Sequence, residues 1–99
     1  VLGLAFKANI DDLRESPSIA IARSLAEKAP GVEFLLVEPH IESLPATLAG
    51  INNVKLVNTD AGLAEASTIE VLVDHDQFKA VPATALAGKD VIDTRGLWR

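Results

Sequence analysis

An α/β fold built on a mostly parallel sheet with helices on both faces is what this sequence predicts, on three observations. Residues 1–5 (VLGLA) form an apolar run without a charge, as a central strand covered on both sides requires. Strand-like runs recur at residues 32–37 (VEFLLV), 54–57 (VKLV), 68–73 (TIEVLV) and 90–93 (DVID). Helical spacing or helix-start signals fill the gaps, and strands alternating with helices imply a three-layer sheet.

Each element has its own local cause. Ser16-Pro17 opens the first helix: the serine oxygen can accept from the free N–H groups, and proline at the first helical position forfeits no bond. Ile19, Ile21, Ala22, Leu25, Ala26 and Ala29 then recur at helical spacing, with Ser18, Arg23, Ser24, Glu27 and Lys28 largely on the other side. Pro30-Gly31 ends that helix, and Glu38-Pro39-His40 closes the next strand. Strand, helix and strand in this order make a right-handed parallel βαβ unit. Leu44-Pro45 and Gly50 interrupt residues 41–53, which leaves a loop with a helical turn near 46–49. Residues 54–57 are a short strand, read as an added edge, and Asn58, Thr59 and Asp60 offer caps for a helix over 61–66. Residues 79–87 are weakly helical or irregular because Pro82 interrupts them, and Gly88-Lys89 turns into the last strand. The architecture predicted is a Rossmann-like five-stranded sheet in the order 3-2-1-4-5. Its winding reverses between the first and fourth strands, and a crevice forms there outside the carboxyl ends. Lys7 follows the first strand, Asp74-His75-Asp76 the fourth and Arg95 the fifth, so these groups are expected to converge.

Composition narrows the function classes. Ninety-nine residues make one domain, residues 1–99, with 48% hydrophobic and 23% charged content typical of a soluble globular chain. No apolar run is long enough to cross a bilayer, so no membrane partner is expected. The net charge of −5 disfavours nucleic acid as a partner. Without cysteine there is no disulfide, thiolate metal site or thiol nucleophile in these residues, which fits a cytoplasmic protein. The start inside an apolar strand, without methionine, leads us to expect a segment of a longer polypeptide. Lys7, Arg14, Arg95 and Arg99 place four of the nine cations in the terminal segments. They form a local anion site if the fold joins those segments, and scattered surface charges if it does not.

The segment between Ala5 and Ser16 is longer than most strand-to-helix links, which favours a functional role. It is not a dinucleotide fingerprint: Gly3 stands alone in the strand, and Asp11, Asp12 and Glu15 would repel a phosphate at the helix start. Lys7 and Arg14 can each reach an anionic ligand or serve in a surface salt bridge. Asp74-His75-Asp76 admits a metal site, an acid–base site, or simple capping of the next turn, and a lone histidine between carboxylates is a weak metal signal. No metal is expected here, and His40 reads as a loop residue. Asp93-Thr94-Arg95-Gly96 puts a guanidinium at a strand end, where its planar fork suits a phosphate or a uracil edge. Trp98 reads as a core anchor over the end of the sheet.

Gly3-Leu-Ala-Phe-Lys7, Asp11-Asp12-Leu-Arg-Glu-Ser-Pro17, Glu38-Pro39, His75-Asp76-Gln-Phe78 and Asp93-Thr-Arg95 closely resemble the C-terminal, UDP-binding domain of the UDP-glucose/GDP-mannose dehydrogenase family. The resemblance runs through the whole chain in order and spacing. Residues 9–17 and the Asp93-Thr-Arg-Gly ending are most similar to the branch that oxidises UDP-N-acetyl-D-mannosamine. Glu38 stands where relatives commonly carry aspartate. The resemblance implies an NAD-dependent oxidation of a nucleotide sugar's C6 alcohol to a carboxylate by the full-length enzyme, acting as a homodimer of multidomain chains. It implies that Phe6, Lys7 and Arg95 contact the UDP moiety and that Arg14 reaches toward the cofactor. It further implies an N-terminal domain that holds NAD and a central domain that carries the catalytic cysteine, so no catalytic residue is expected in this segment. A UDP-glucose dehydrogenase domain, or a noncatalytic nucleotide-binding or interaction module, are the alternative readings.

Overall fold

A computed structural model describes residues 1–5 and 16–98. In chain order it contains α1 (Pro17–Lys28), β1 (Phe34–Leu36), α2 (Ala46–Ala49), β2 (Val54–Leu56), α3 (Thr59–Glu65), β3 (Thr68–Val71), α4 (Asp76–Lys79), α5 (Ala83–Leu86) and β4 (Asp90–Asp93). β1 pairs with β2 and β3 with β4, both in parallel, giving two small sheets. Between them runs the opening segment, where Leu2 makes parallel bridges to Val37 and to Val71. The Leu2 N–H donates to the Glu70 carbonyl at 2.8 Å, and the Leu72 N–H donates back to Leu2 at 2.9 Å. On the other side Gly3 donates to Val37 at 2.8 Å and Val37 donates to Val1 at 2.9 Å. The architecture is thus α/β with short parallel strands.

Gly3 interrupts the extended backbone of the opening segment. Its φ of +101° lies in the left-handed region that glycine tolerates. A strand sends residues i and i+2 to the same side. Here the turn at Gly3 breaks that alternation, and Leu2 and Leu4 enter different cores. Leu2 packs with Val37, Leu63, Ile69, Val71 and Phe78, against which Ala85, Leu86 and Trp98 also lie. Leu4 packs with Ala22, Leu36 and Leu48. Helices α3, α4 and α5 therefore contribute to one core, and α1 and α2 to the other.

The buried stripe of α1 differs from the one expected. Ser18, Ala22 and Ala26 are buried, whereas Ile21 is 41% exposed. Small side chains four apart let the helix backbone lie close to the layer beneath, and close packing outweighs hydrophobicity at position 18. The end of α1 is held from a distance: the Asn53 side-chain amide donates to the carbonyls of Ala26 and Ala29, and to that of Val32. That satisfies carbonyls which a helix end otherwise leaves unpaired.

The start of α3 follows the sequence expectation, with Asn58 accepting from the Ala61 N–H at 2.8 Å. Asn58→Ala is expected to destabilise the chain by about 1 kcal/mol, read from the denaturant midpoint. The stretch at 79–87 holds the last residue of α4 and the single turn of α5. Pro82 separates them and stands at the N-cap of α5, because it has no N–H to carry a helix through. Among the described residues no helix is long and apolar enough to cross a membrane.

Candidate functional site

Two strand ends carry most of the polar chemistry of the described residues. The first is built around Glu38, which follows β1 and whose side chain is fully buried. Its Oε1 accepts from the N–H groups of Leu4 at 2.9 Å and Ala5 at 3.0 Å, and from His75 Nε2 at 2.9 Å. Its Oε2 accepts from the His40 N–H at 3.1 Å. The Ser16 hydroxyl donates to the Leu4 carbonyl at 2.7 Å, so side chains secure both backbone polar groups of Leu4. Ser16 does stand at the N-cap of α1, but its side chain does not cap the helix as the sequence led us to expect. The strand end outcompetes the helix for the hydroxyl because the Leu4 carbonyl is buried and needs a donor.

Burial pushes the Glu38 carboxyl upward, but the hydrogen bonds from His75 and from the Leu4 and His40 N–H groups outweigh it and hold the group below its ordinary value. An ionised carboxylate can only accept, so we assign His75 Nε2 as the donor. The His75 ring meets Phe78 edge-on at 5.4 Å and tilts against His40 at 4.6 Å. His40 Nε2 is buried with no hydrogen-bond partner among the described residues. Glu38, His40 and His75 present ligand-type atoms within 4.8 Å of one another. As arranged, however, Oε1 is taken by three N–H donors, and the trio works as a latch on the end of the opening segment.

The second strand end is that of β4. The Asp93 carboxylate accepts from the N–H groups of Arg95 at 3.2 Å, Leu97 at 3.1 Å and Trp98 at 3.0 Å. Burial would raise its pKa, but these bonds, with the Gly96 N–H, hold it below the ordinary value. Thr94 donates its hydroxyl to the Val71 carbonyl, and Trp98 Nε1 donates to Phe78 at 2.9 Å. Arg95 Nε donates to the Leu72 carbonyl at 3.2 Å. Arg95 lines an open cavity of about 310 Å³ between the start of α1 (Pro17, Ser18, Ile21) and Glu70, Leu72 and Thr94.

The structure distributes the expected site residues unevenly. Phe6, Lys7 and Arg14 lie outside the described residues. Arg95 stands at the rim of the cavity, with Asp93 bonded to its backbone N–H. The Asp74-His75-Asp76 motif divides: His75 is buried in the latch, while Asp76 lies in the first turn of α4, 3.5 Å from Lys79 Nζ. Trp98 packs against the core that contains Phe78, in line with its reading as an anchor. Sequence reading missed Glu38 and His40 as members of a cluster. A usable signal existed, since both histidines of the chain and Glu38 lie within three residues of the ends of predicted strands.

Among the described residues, neither Gly3 nor the start of α1 forms a dinucleotide cradle. The place where a Cβ would stand on Gly3 is only 2.5 Å from Val73 Cβ, so a pyrophosphate has no approach there. The entrance to α1 carries Ser16 and Pro17, and the serine hydroxyl is turned back to Leu4.

Residues 1–99 match the model of the UDP-glucose/GDP-mannose dehydrogenase family, UDP binding domain. The chain is 53% identical over 97 residues, 98% of its length, to a UDP-N-acetyl-D-mannosamine dehydrogenase of Salmonella typhi. It is 50% identical over 96 residues, 97% of its length, to an NDP-N-acetyl-D-galactosaminuronic acid dehydrogenase of Ralstonia nicotianae. A UDP-N-acetyl-D-mannosamine dehydrogenase of Escherichia coli is 46% identical over 97 residues. In each case the chain spans 22% of the relative's length.

Proposed function

The chain belongs to the UDP-glucose/GDP-mannose dehydrogenase family, matching its UDP binding domain, and on that premise we propose that it supplies the nucleotide site of an NAD-dependent UDP-sugar 6-dehydrogenase. The substrate we assign is UDP-N-acetyl-D-mannosamine, oxidised to the uronate. The observation that carries this reading is the 53% identity, over nearly the whole chain, to a relative of that name. The 50% identity to an NDP-N-acetyl-D-galactosaminuronic acid dehydrogenase supports a second reading, in which the sugar is a different N-acetylated hexosamine.

In this proposal Phe6, Lys7 and Arg95 bind the UDP moiety, and Arg14 reaches to the cofactor. NAD, held mainly by another domain, accepts the hydrides. The catalytic thiol also belongs outside this segment, since the chain has no cysteine. Residues 1–99 act as one domain, and the two small sheets with the opening segment act as one five-stranded sheet in the order 3-2-1-4-5. The partners are the UDP-sugar, the N-terminal and central domains and a second copy of the full-length chain, in the cytoplasm. Arg95 at a cavity rim supports its assignment, because a guanidinium there can offer paired N–H donors to a phosphate or a uracil edge.

Lys7→Ala in the full-length protein is expected to raise KM for the UDP-sugar about 10- to 100-fold, the loss of a charge-assisted hydrogen bond. Steady-state kinetics with UDP-N-acetyl-D-mannosamine and NAD check this, and wild-type constants would remove Lys7 from the site. Calorimetry with UDP separates binding from turnover.

A further inference from the structure

Arg95 lies in the irregular segment that follows β4, and an exposed segment without regular secondary structure would ordinarily spread its side chains over many positions. Here the backbone is tied down from within. Asp93 Oδ1 accepts from the N–H groups of Arg95 and Leu97, and Oδ2 accepts from Trp98. Gly96, at φ 71°, allows the chain to curl so that successive N–H groups face one carboxylate. The two ends of the curl are anchored independently, Thr94 on Val71 and Trp98 on Phe78. The curl leaves Arg95 Nε on the Leu72 carbonyl, and among the described residues no hydrogen bond occupies its two Nη groups.

We propose that Asp93 is a positioning residue for Arg95: its carboxylate orders the segment after β4 so that the guanidinium is held at the cavity rim, ready for the nucleotide part of the substrate. The inference rests on the reading of Arg95 as a UDP contact. Asp93 touches no substrate in this scheme. Its contribution is to remove the ordering cost from ligand binding, which is what preorganisation does to affinity. Carboxylate chemistry is required because the backbone presents only N–H donors to it. An asparagine of the same shape would turn its own NH₂ toward one of them.

The test is a double-mutant cycle in the full-length protein, with UDP and NAD affinities measured by calorimetry and the unfolding temperature recorded alongside. Asp93→Asn is expected to weaken UDP binding about tenfold and leave NAD binding unchanged. Arg95→Ala is expected to weaken UDP binding at least as much. The double variant should bind UDP no worse than Arg95→Ala alone, since Asp93 acts through Arg95. Gly96→Ala, which strains the curl but keeps the carboxylate, should couple to Arg95→Ala in the same way and serves if Asp93→Asn fails to fold. Additive losses would overturn the inference, as would wild-type UDP affinity in both Asp93→Asn and Gly96→Ala while Arg95→Ala is impaired; the UDP reading of Arg95 survives both results. Wild-type UDP affinity in Arg95→Ala would remove that reading and the inference with it.

Discussion

Replacing Glu38 with alanine is expected to destabilise the chain by at least about 3 kcal/mol, because three buried donors lose one acceptor and each such donor costs about 1–3 kcal/mol when left unpaired. The donors are the N–H groups of Leu4 and Ala5 and His75 Nε2, all bonded to Oε1. Glu38→Gln keeps the volume and one carbonyl oxygen, so its cost should be smaller, about 1–2 kcal/mol. The charge also leaves a signature in pH. The folded carboxyl lies below its ordinary value, so the stability it contributes is fully present above the unfolded pKa of about 4.3. That contribution is lost as pH falls through the folded value. Denaturant midpoints measured from neutral to acid pH should therefore fall more in the wild type than in Glu38→Gln. Equal pH slopes in the two proteins, or an unchanged midpoint in Glu38→Ala, would dissolve the latch.

The other large effect is expected at Gly3. An alanine there must adopt φ +101°, a conformation that costs about 1–3 kcal/mol for a residue with a Cβ. Its Cβ would also stand 2.5 Å from Val73 Cβ and 2.9 Å from the Val73 backbone nitrogen. Overpacking of that kind costs about a further 1–3 kcal/mol, so Gly3→Ala should lower stability by about 2–6 kcal/mol in all. Far-UV circular dichroism and the denaturant midpoint check this. Val73→Ala removes the methyl contact at 2.8 Å but keeps the Cβ and the backbone nitrogen, so it should not restore the double variant. Full rescue would mean that the methyl alone sets the limit.

Both effects concern residues whose weight was only partly visible in the sequence. Gly3 was legible as a glycine inside an apolar run, yet nothing local told that Val73 lies against it. Glu38 was legible as the end of a strand. Its pairing with a histidine 37 positions later is a product of the parallel arrangement that brings the ends of neighbouring strands together.

Local chemistry was written in the order of residues. The alternation of strands and helices, the turn at 46–49, the Asn58 cap, the break at Pro82 and the anchor at Trp98 could all be read from it. Such features depend on neighbours a few positions away: a proline without an N–H or an amide beside a free helix end acts wherever the chain goes. The motif resemblance likewise pointed to the family that the comparisons establish. Tertiary structure alone decided that Ser18 is buried and Ile21 exposed, that Ser16 serves Leu4 rather than its helix, and that Asp93 binds backbone N–H groups around Arg95. In each case a buried polar group or a close contact selected its partner from many available in the sequence, and only the folded chain brings the chosen one within reach.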